Sequence, residues 1–252
     1  MTVVVADPVA EARRVLEAAD ALGVPVRALG GVAVALVAPT VARLHPRRTY
    51  HDIDLAAPAG TPAVSRLMTD LGYEAARRFN TLNGSERLLF HDPEGRRVDV
   101  FIDTLRMCHA LPFGTRLLLR RWTLPLADLV LSKLQIVEMT ERDAQDLVAL
   151  FADYPLAGSD TDGIGLGRIS EVCGGDWGWW RTVDGNLRAL SERWLAARSV
   201  AGPEQQGILD AALGRATQLR AALEACPKSL AWKARAVIGP RVRWYDLPEE
   251  VR

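Results

Sequence analysis

The sequence has few cysteines, and their spacing gives no sign of a cross-linked or metal-bound framework. Cys108, Cys173 and Cys226 are its three cysteines, and no two of them form a C-x-x-C pair. A disulfide scaffold or a structural zinc site is therefore not expected. Uncharged apolar stretches of about 18 residues are also missing, so no membrane-spanning helix is expected. The first residues lack a basic segment followed by a long apolar run, which predicts a cytoplasmic protein.

An excess of charge of one sign is absent as well. The chain has 31 Lys and Arg residues against 31 Asp and Glu residues, a formal net charge of zero. This balance gives no global electrostatic reason for the protein to wrap nucleic acid. Lysine does not occur before Lys133, so arginine supplies the cations of the first half. A local basic groove that suits RNA is still predicted from Arg43, Arg47, Arg48, Arg77 and Arg78.

Strand patterns occupy the first half of the 252 residues, and helical patterns occupy the second. The pattern of apolar residues changes from strand-like to helical near Leu124. This predicts an α+β domain over residues 1–123 and a helical domain over 124–252. Strands are expected at 26–29, 51–55, 87–91, 97–102 and 117–122, with a turn at 92–95 that makes the third and fourth a hairpin. An exposed basic loop is expected at 42–50. Helices are expected at 7–22, 32–37, 125–139, 141–154 and 203–225.

Three aspartates stand out because strand parity places them together. Asp52 and Asp54 are two residues apart on a predicted strand, so their side chains point to the same face. Asp99 lies between two core-facing valines on another strand, and it is expected on that same face. Carboxylates so close together repel each other unless a cation lies between them, and Mg²⁺ or Mn²⁺ prefers such oxygen ligands. The other interpretation is a solvated strand face.

Gly30 and Gly31 follow a buried strand and precede a short helix. Glycines at such a junction let the backbone approach a ligand closely, and the N–H groups at the helix start attract anions. A tight turn without a ligand would use the same residues. Together with the aspartates, the glycine pair favours phosphate binding, and Arg48 in the following basic loop is a further predicted nucleotide-binding residue.

These motifs, in this order, resemble the signature of the polymerase β nucleotidyltransferase superfamily over about residues 26–103. The resemblance rests on Leu29-Gly30-Gly31, Asp52-Ile53-Asp54-Leu55 and Val98-Asp99-Val100. It implies a mixed sheet flanked by helices, in which the glycines hold a triphosphate and the three aspartates hold two Mg²⁺ ions. It also implies transfer of a nucleoside monophosphate from a nucleoside triphosphate to an acceptor.

The second half is similar to AbiEii-like nucleotidyltransferases, which include toxins of type IV toxin–antitoxin systems. The similarity rests on the Leu131–Ile136 segment and on Arg142-Asp143-Ala144-Gln145-Asp146-Leu147. It implies a catalytic role for Lys133 at the triphosphate and a place for Asp143 and Asp146 in the nucleotide pocket. From the residues alone, Lys133 also fits a solvated helix face, and Asp143 also fits a helix N-cap.

Three hypotheses for the function remain open. The first is a Mg²⁺-dependent nucleotidyltransferase whose acceptor is a small molecule, an RNA end or a protein. The second is an inactive relative that binds a nucleotide or a partner; Val32 favours it, because the superfamily usually has Ser or Thr after the glycine pair. The third is a toxin with an antitoxin protein as its partner. The cluster of Trp177, Trp179 and Trp180 is interpreted as a packing contact, with base stacking as the alternative.

Overall fold

The structure is a computed structural model in which residues 4–60 and 62–247 are described. The chain forms two compact units. Of the described residues, the first contains 4–37, 45–60, 62–105 and 111–125, and the second contains 38–44, 106–110 and 126–247. The sequence-based division at residues 123 and 124 differs from these units, because it keeps 38–44 and 106–110 in the first domain. The outer ends of both predicted domains, 1–3 and 248–252, lie outside the described residues.

Helices and strands are interspersed up to residue 112, and helices prevail after it. The helices are α1 (Pro8–Ala21), α2 (Gly30–Val37), α3 (Thr40–Leu44), α4 (Pro62–Asp70), α5 (Arg77–Asn83), α6 (Leu126–Leu134), α7 (Glu141–Asp153), α8 (Leu166–Gly175), α9 (Trp177–Val200), α10 (Pro203–Ala225) and α11 (Leu230–Ile238). The strands are β1 (Arg27–Leu29), β2 (Asp52–Ala57), β3 (Glu74–Ala75), β4 (Arg87–His91), β5 (Arg97–Ile102), β6 (Thr104–Arg106), β7 (Ala110–Pro112), β8 (Leu156–Ala157) and β9 (Ile164–Gly165). Gly114–Leu118 and Gly239–Arg241 are short 3₁₀ helices.

The first unit is built on a mixed five-stranded sheet with the strand order β1-β2-β5-β4-β3. Strands β2 and β5 are parallel, and the other neighbouring pairs are antiparallel. Apolar side chains that alternate along β2 and β5 form the core face, among them Ile53, Val98 and Val100, all fully buried. The α+β class is confirmed, and the alternation of these strands leaves the aspartates on the opposite face.

Helix α1 begins where the sequence predicts, because Asp7 caps it. The Asp7 carboxylate accepts a hydrogen bond from the Ala10 N–H at 2.8 Å, and Pro8 occupies the first turn. Val15 and Leu16 lie on the apolar face of the helix, which is fully buried. This face packs against α2, α4 and the β1–β2 edge of the sheet. Local capping and apolar periodicity were therefore sufficient to predict this element.

Two predictions in the first half were wrong. Residues 117–122 do not form a strand: a 3₁₀ helix ends at Leu118, Leu118 and Leu119 are exposed, and Trp122 has a φ of 71°. Only Thr123 bridges to Ala28 at the edge of the sheet. The predicted exposed loop at 42–50 begins inside α3, which Thr40 opens.

The second unit packs its helices around α7, α9 and α10. The aliphatic side chains of Leu147, Leu150, Val183 and Leu219 are fully buried in this core. The α3 helix joins it, because the Thr40 N–H donates a hydrogen bond to Asp153 at 3.0 Å. Helix α6 is buried almost all round, and it ends at Leu134 instead of running to residue 139. Over the described parts of the chain, no helix has the length and apolar character of a membrane span.

Candidate functional site

The first candidate site lies where β2 and β5 run side by side in the first unit. Asp54 is paired in register with Asp99, and Asp52 is paired with Arg97. Residues paired in this way point to the same face of a sheet. The Asp52 side chain is exposed, Asp54 is half-buried and Asp99 is only 2% exposed. The fold therefore brings together two of the three aspartates as direct cross-strand neighbours, with the third two residues along β2.

Gly30 lies directly against Asp54. It has a φ of 70°, a conformation that L-residues with a side chain rarely adopt. A Cβ atom built on Gly30 would be 2.2 Å from Asp54 Oδ2, which is closer than any contact between such atoms. Leu29, the residue before it, is paired in register with Asp54. Two constraints thus require glycine here: the backbone conformation and the space taken by the carboxylate.

Gly31 lies against the basic segment that follows α3. A Cβ atom on Gly31 would be 3.2 Å from Arg48 Nη2 and 3.4 Å from Tyr50 Cε1. The Arg48 guanidinium carbon lies 5.1 Å from the centre of the Tyr50 ring, a cation–π distance. The start of α2 is therefore lined by a carboxylate on one side and a guanidinium on the other. An anion at the helix start would have backbone N–H groups and a cation within reach.

Asp99 is held by two arginines that sequence reasoning did not include in the site. Arg87 donates from Nε to Asp99 Oδ1 at 2.8 Å, and its Nη2 is also 2.8 Å from that oxygen. Arg97 donates from Nε to Oδ2 at 2.6 Å and from Nη2 to Oδ1 at 3.3 Å. Both carboxylate oxygens are thus engaged by charge-assisted hydrogen bonds. Strand parity could have predicted the place of Arg97, because Arg97 lies two residues before Asp99 and points to the same face of the sheet.

These ion pairs bear on whether Asp99 fits a metal ion. Within residues 4–60 and 62–247, no group of three or more His, Cys, Asp or Glu side chains is arranged to hold a metal. Asp52 and Asp54 lie on one face of β2 and supply two carboxylates of the kind that Mg²⁺ takes. Asp99 does not fit a metal in this arrangement, because its oxygens are engaged by Arg87 and Arg97.

Lys133, Asp143 and Asp146 form a buried ionic cluster in the second unit. The Lys133 Nζ atom is 2.8 Å from Asp143 Oδ1 and 2.9 Å from Asp146 Oδ2. The Lys133 side chain is 13% exposed and that of Asp146 is fully buried, so Lys133 does not lie on a solvated helix face. Burial lowers the pKa of Lys133, but the charges of Asp146 and Asp143 outweigh it and raise that pKa.

Asp143 has a second role at the start of α7. Thr140 is the N-cap residue, and its backbone N–H and hydroxyl both donate to Asp143 Oδ2, at 3.1 and 2.6 Å. Asp143 therefore occupies position N3 of α7, where it completes a capping box with Thr140, and it is not the N-cap itself. Burial raises the pKa of Asp143, but Lys133 and Thr140 outweigh it, and the pKa is lowered.

The arginines of the predicted RNA groove belong to different units. Arg43 lies on α3 in the second unit and forms an ion pair with Glu204 at 2.6 Å. Arg47, Arg77 and Arg78 are exposed in the first unit, where Arg77 and Arg78 begin α5. Arg48 is half-buried beside Gly31. Of the five, Arg48 is the arginine that the first unit itself brings to the glycine pair.

The tryptophan cluster at the start of α9 packs inside the second unit. Trp177 and Trp179 are 6% and 5% exposed, and Trp180 contacts Trp232 edge to face at 5.3 Å. The Trp179 ring lies 4.9 Å from that of His109, whose Nε2 is 2.9 Å from the hydroxyl of Thr182. The interpretation as a packing contact is therefore confirmed for Trp177 and Trp179. Their rings stabilise the core, since aromatic side chains bury large areas.

The chain matches no protein-family model, and no curated protein is significantly similar to it in sequence.

Proposed function

We propose that this protein transfers a nucleoside monophosphate from a nucleoside triphosphate to an acceptor, with pyrophosphate as the leaving group. One observation carries the proposal: Asp52 and Asp54 lie on one face of β2, and the Gly30 turn lies directly against the Asp54 carboxylate. A carboxylate site for a cation and a helix start for an anion are thus adjacent. A nucleotide–metal complex needs both, because its phosphates are anionic and its metal prefers carboxylate oxygens.

The order of elements supports the same proposal. A strand, a glycine turn and a helix (β1, Gly30-Gly31, α2) precede the strand that bears Asp52 and Asp54, and Asp99 follows on a parallel neighbour. This is the arrangement that the resemblance to the polymerase β nucleotidyltransferase superfamily implies. We therefore assign the first unit to the nucleotidyltransferase type of mixed sheet as part of the proposal.

In the proposed reaction, Asp52 and Asp54 would hold Mg²⁺ or Mn²⁺. Such an ion neutralises phosphate charge and favours attack at phosphorus. The N–H groups at the start of α2 bind the phosphates, and Arg48 adds a positive charge beside them. Because Asp54 is half-buried, the effective dielectric constant around its carboxylate is lower than in bulk water. Its interaction with a cation is therefore stronger there than in water.

The test is incubation of the protein with each labelled nucleoside triphosphate, Mn²⁺ and an extract that supplies acceptors. Transfer of label is expected for the wild type, and loss of transfer for the double variant Asp52→Asn, Asp54→Asn. Asp70→Asn is the matched control, because Asp70 is an exposed aspartate of the same unit at the end of α4. Absence of labelled product with all four nucleotides would refute the enzymatic proposal.

The second candidate is a nucleotide-binding protein without transferase activity. The ion pairs of Asp99 with Arg87 and Arg97 favour it, because they occupy a carboxylate that the resemblance assigns to catalysis. Val32 favours it too, since this fully hydrophobic side chain is buried where the superfamily usually has a hydroxyl. Metal-dependent nucleotide binding without transfer would identify this case. Binding at 100 times the dissociation constant should raise the free energy of unfolding by about 2.7 kcal/mol.

A further inference from the structure

The side chains around Asp99 point to a role that differs from metal binding. Its carboxylate is 2% exposed, and the two guanidiniums that engage it are more exposed, with 23% for Arg87 and 35% for Arg97. The aspartate therefore lies underneath and the arginines above it, toward solvent. A group that approaches this face from solvent meets the arginines before it meets Asp99.

Both arginines are fixed by more than one contact. The Arg87 guanidinium carbon lies 4.9 Å from the centre of the Phe101 ring, while Nε and Nη2 engage Asp99. Arg97 engages Asp99 through Nε and Nη2 and is paired in register with Asp52. A guanidinium has five N–H donors in a rigid plane, and these contacts do not use the Nη1 groups. Each arginine thus keeps donors for a second anion.

The distribution of charges on this face of the sheet favours the binding of an anion next to the proposed metal site. Asp52 and Asp54 carry two negative charges, which a divalent cation would neutralise. Asp99 with Arg87 and Arg97 carries a net positive charge of one, so it attracts an anion and repels a second cation. Arg97 lies opposite Asp52 on the neighbouring strand, which places the positive group beside the metal ligands.

We propose that Asp99 positions Arg87 and Arg97 to bind the phosphate groups of the nucleotide, and that it does not bind a second metal ion. This inference rests on the proposed function, since it concerns the same nucleotide. It makes Asp99 a positioning residue, and it makes the two arginines the cations that hold the polyphosphate. Planar guanidiniums suit this task because they donate two hydrogen bonds to one phosphate group.

The experiment measures two ligands separately by calorimetry: Mn²⁺ alone, and inorganic tripolyphosphate in saturating Mn²⁺. For Arg87→Gln and Arg97→Gln, we expect tripolyphosphate to bind about tenfold more weakly. Mn²⁺ should bind as tightly as before or more tightly, because a repelling charge has gone. A merely structural role would weaken both. Arg66→Gln removes an exposed arginine of the same unit, on α4, and should leave both affinities unchanged.

Asp99→Asn tests the aspartate itself. Its Mn²⁺ affinity should stay within about threefold of the wild type, whereas Asp54→Asn should lower it about tenfold or more. Melting curves show whether each variant is folded. Arg87→Lys and Arg97→Lys keep the charge but lose the planar fork, so partial recovery of tripolyphosphate binding is expected.

Two results would overturn the inference. One is a loss of Mn²⁺ binding in Asp99→Asn equal to that in Asp54→Asn, which would make Asp99 a metal ligand. The other is tripolyphosphate binding that is absent in the wild type or unchanged in both glutamine variants. Failure of the proposed function looks different, because it is seen as a wild type that binds tripolyphosphate through these arginines and transfers no nucleotide.

Discussion

The Asp54 carboxylate occupies the space that a side chain at Gly30 would need. Its Oδ2 atom is 2.2 Å from the ideal Cβ position of residue 30. The glycine therefore has a positional reason beyond its φ of 70°. These two constraints are separable by mutation, because other glycines of the first unit have a positive φ without a close neighbour.

Gly30→Ala should destabilise the protein and weaken its Mn²⁺ binding, since Asp54 must move. Gly23→Ala is the control, because Gly23 has a φ of 67° and no atom within 4 Å of its ideal Cβ position. Backbone strain alone should cost Gly23→Ala about 1–2 kcal/mol. Gly30→Ala should lose a further 1–3 kcal/mol or so from the overlap. Urea unfolding and Mn²⁺ calorimetry measure both; equal losses in the two variants would contradict the clash.

Lys133→Met should lower the free energy of unfolding by about 3–5 kcal/mol, because it removes the cation that lies against the fully buried Asp146 and the largely buried Asp143. The Lys133 side chain is 13% exposed. Lys233→Met is the control on an exposed lysine of α11, and it should change stability by less than about 0.5 kcal/mol. Chemical unfolding of the three proteins decides the matter. A Lys133→Met variant as stable as Lys233→Met would show that the cluster does not stabilise the fold.

Asp143 should make stability depend on pH in the acid range. Its pKa in the folded protein is lowered, chiefly because Lys133 outweighs the effect of burial. Its ionisation therefore stabilises the fold above the ordinary carboxyl pKa near 4, and this contribution is lost as pH falls through the lowered pKa. The difference in unfolding free energy between wild type and Asp143→Asn should shrink as pH falls from about 6 to about 3. A difference that is constant with pH would contradict this assignment.

His109 should titrate below the ordinary histidine range. Burial lowers its pKa, although Asp176 and Asp246 act in the opposite direction. Because the folded state binds this proton less readily than the unfolded state, stability should fall as pH drops below about 6.5. Nuclear magnetic resonance titration of the ring protons measures the midpoint directly. A midpoint above that of an unperturbed imidazole would show that the two aspartates outweigh burial.

Local patterns predicted the elements that depend on nearby residues. Helix α1 followed from Asp7 and Pro8, and the β4–β5 hairpin followed from alternating apolar residues around a turn at Gly95, which has a φ of 83°. The strand expected at 117–122 failed because a short apolar run does not reveal whether a neighbouring strand is present. Leu118 and Leu119 are exposed there instead.

Strand parity predicted the common face of the aspartates but not the partners of Asp99. Arg97 was accessible to the same argument, since it precedes Asp99 by two residues. Arg87 was not, because its contact depends on the register of β4 against β5, where Leu89 is paired with Asp99. Similarly, helical spacing places Lys133 on α6, whereas its burial beside Asp146 depends on the packing of α6 against α7. Tertiary contacts therefore decide both ionic clusters.

The parallel pairing of β2 with β5 has a consequence for the order of folding. Arg87, Arg97 and Asp99 lie within one hairpin, so their ionic cluster needs only a short loop closure. Asp54 meets Asp99 only after the chain has passed through α4, β3, α5 and β4. Contacts of larger sequence separation form more slowly, since more chain entropy is lost first. We therefore expect the arginine pair to be in place around Asp99 before β2 joins it, so that a newly made chain forms the proposed anion site before the proposed metal site.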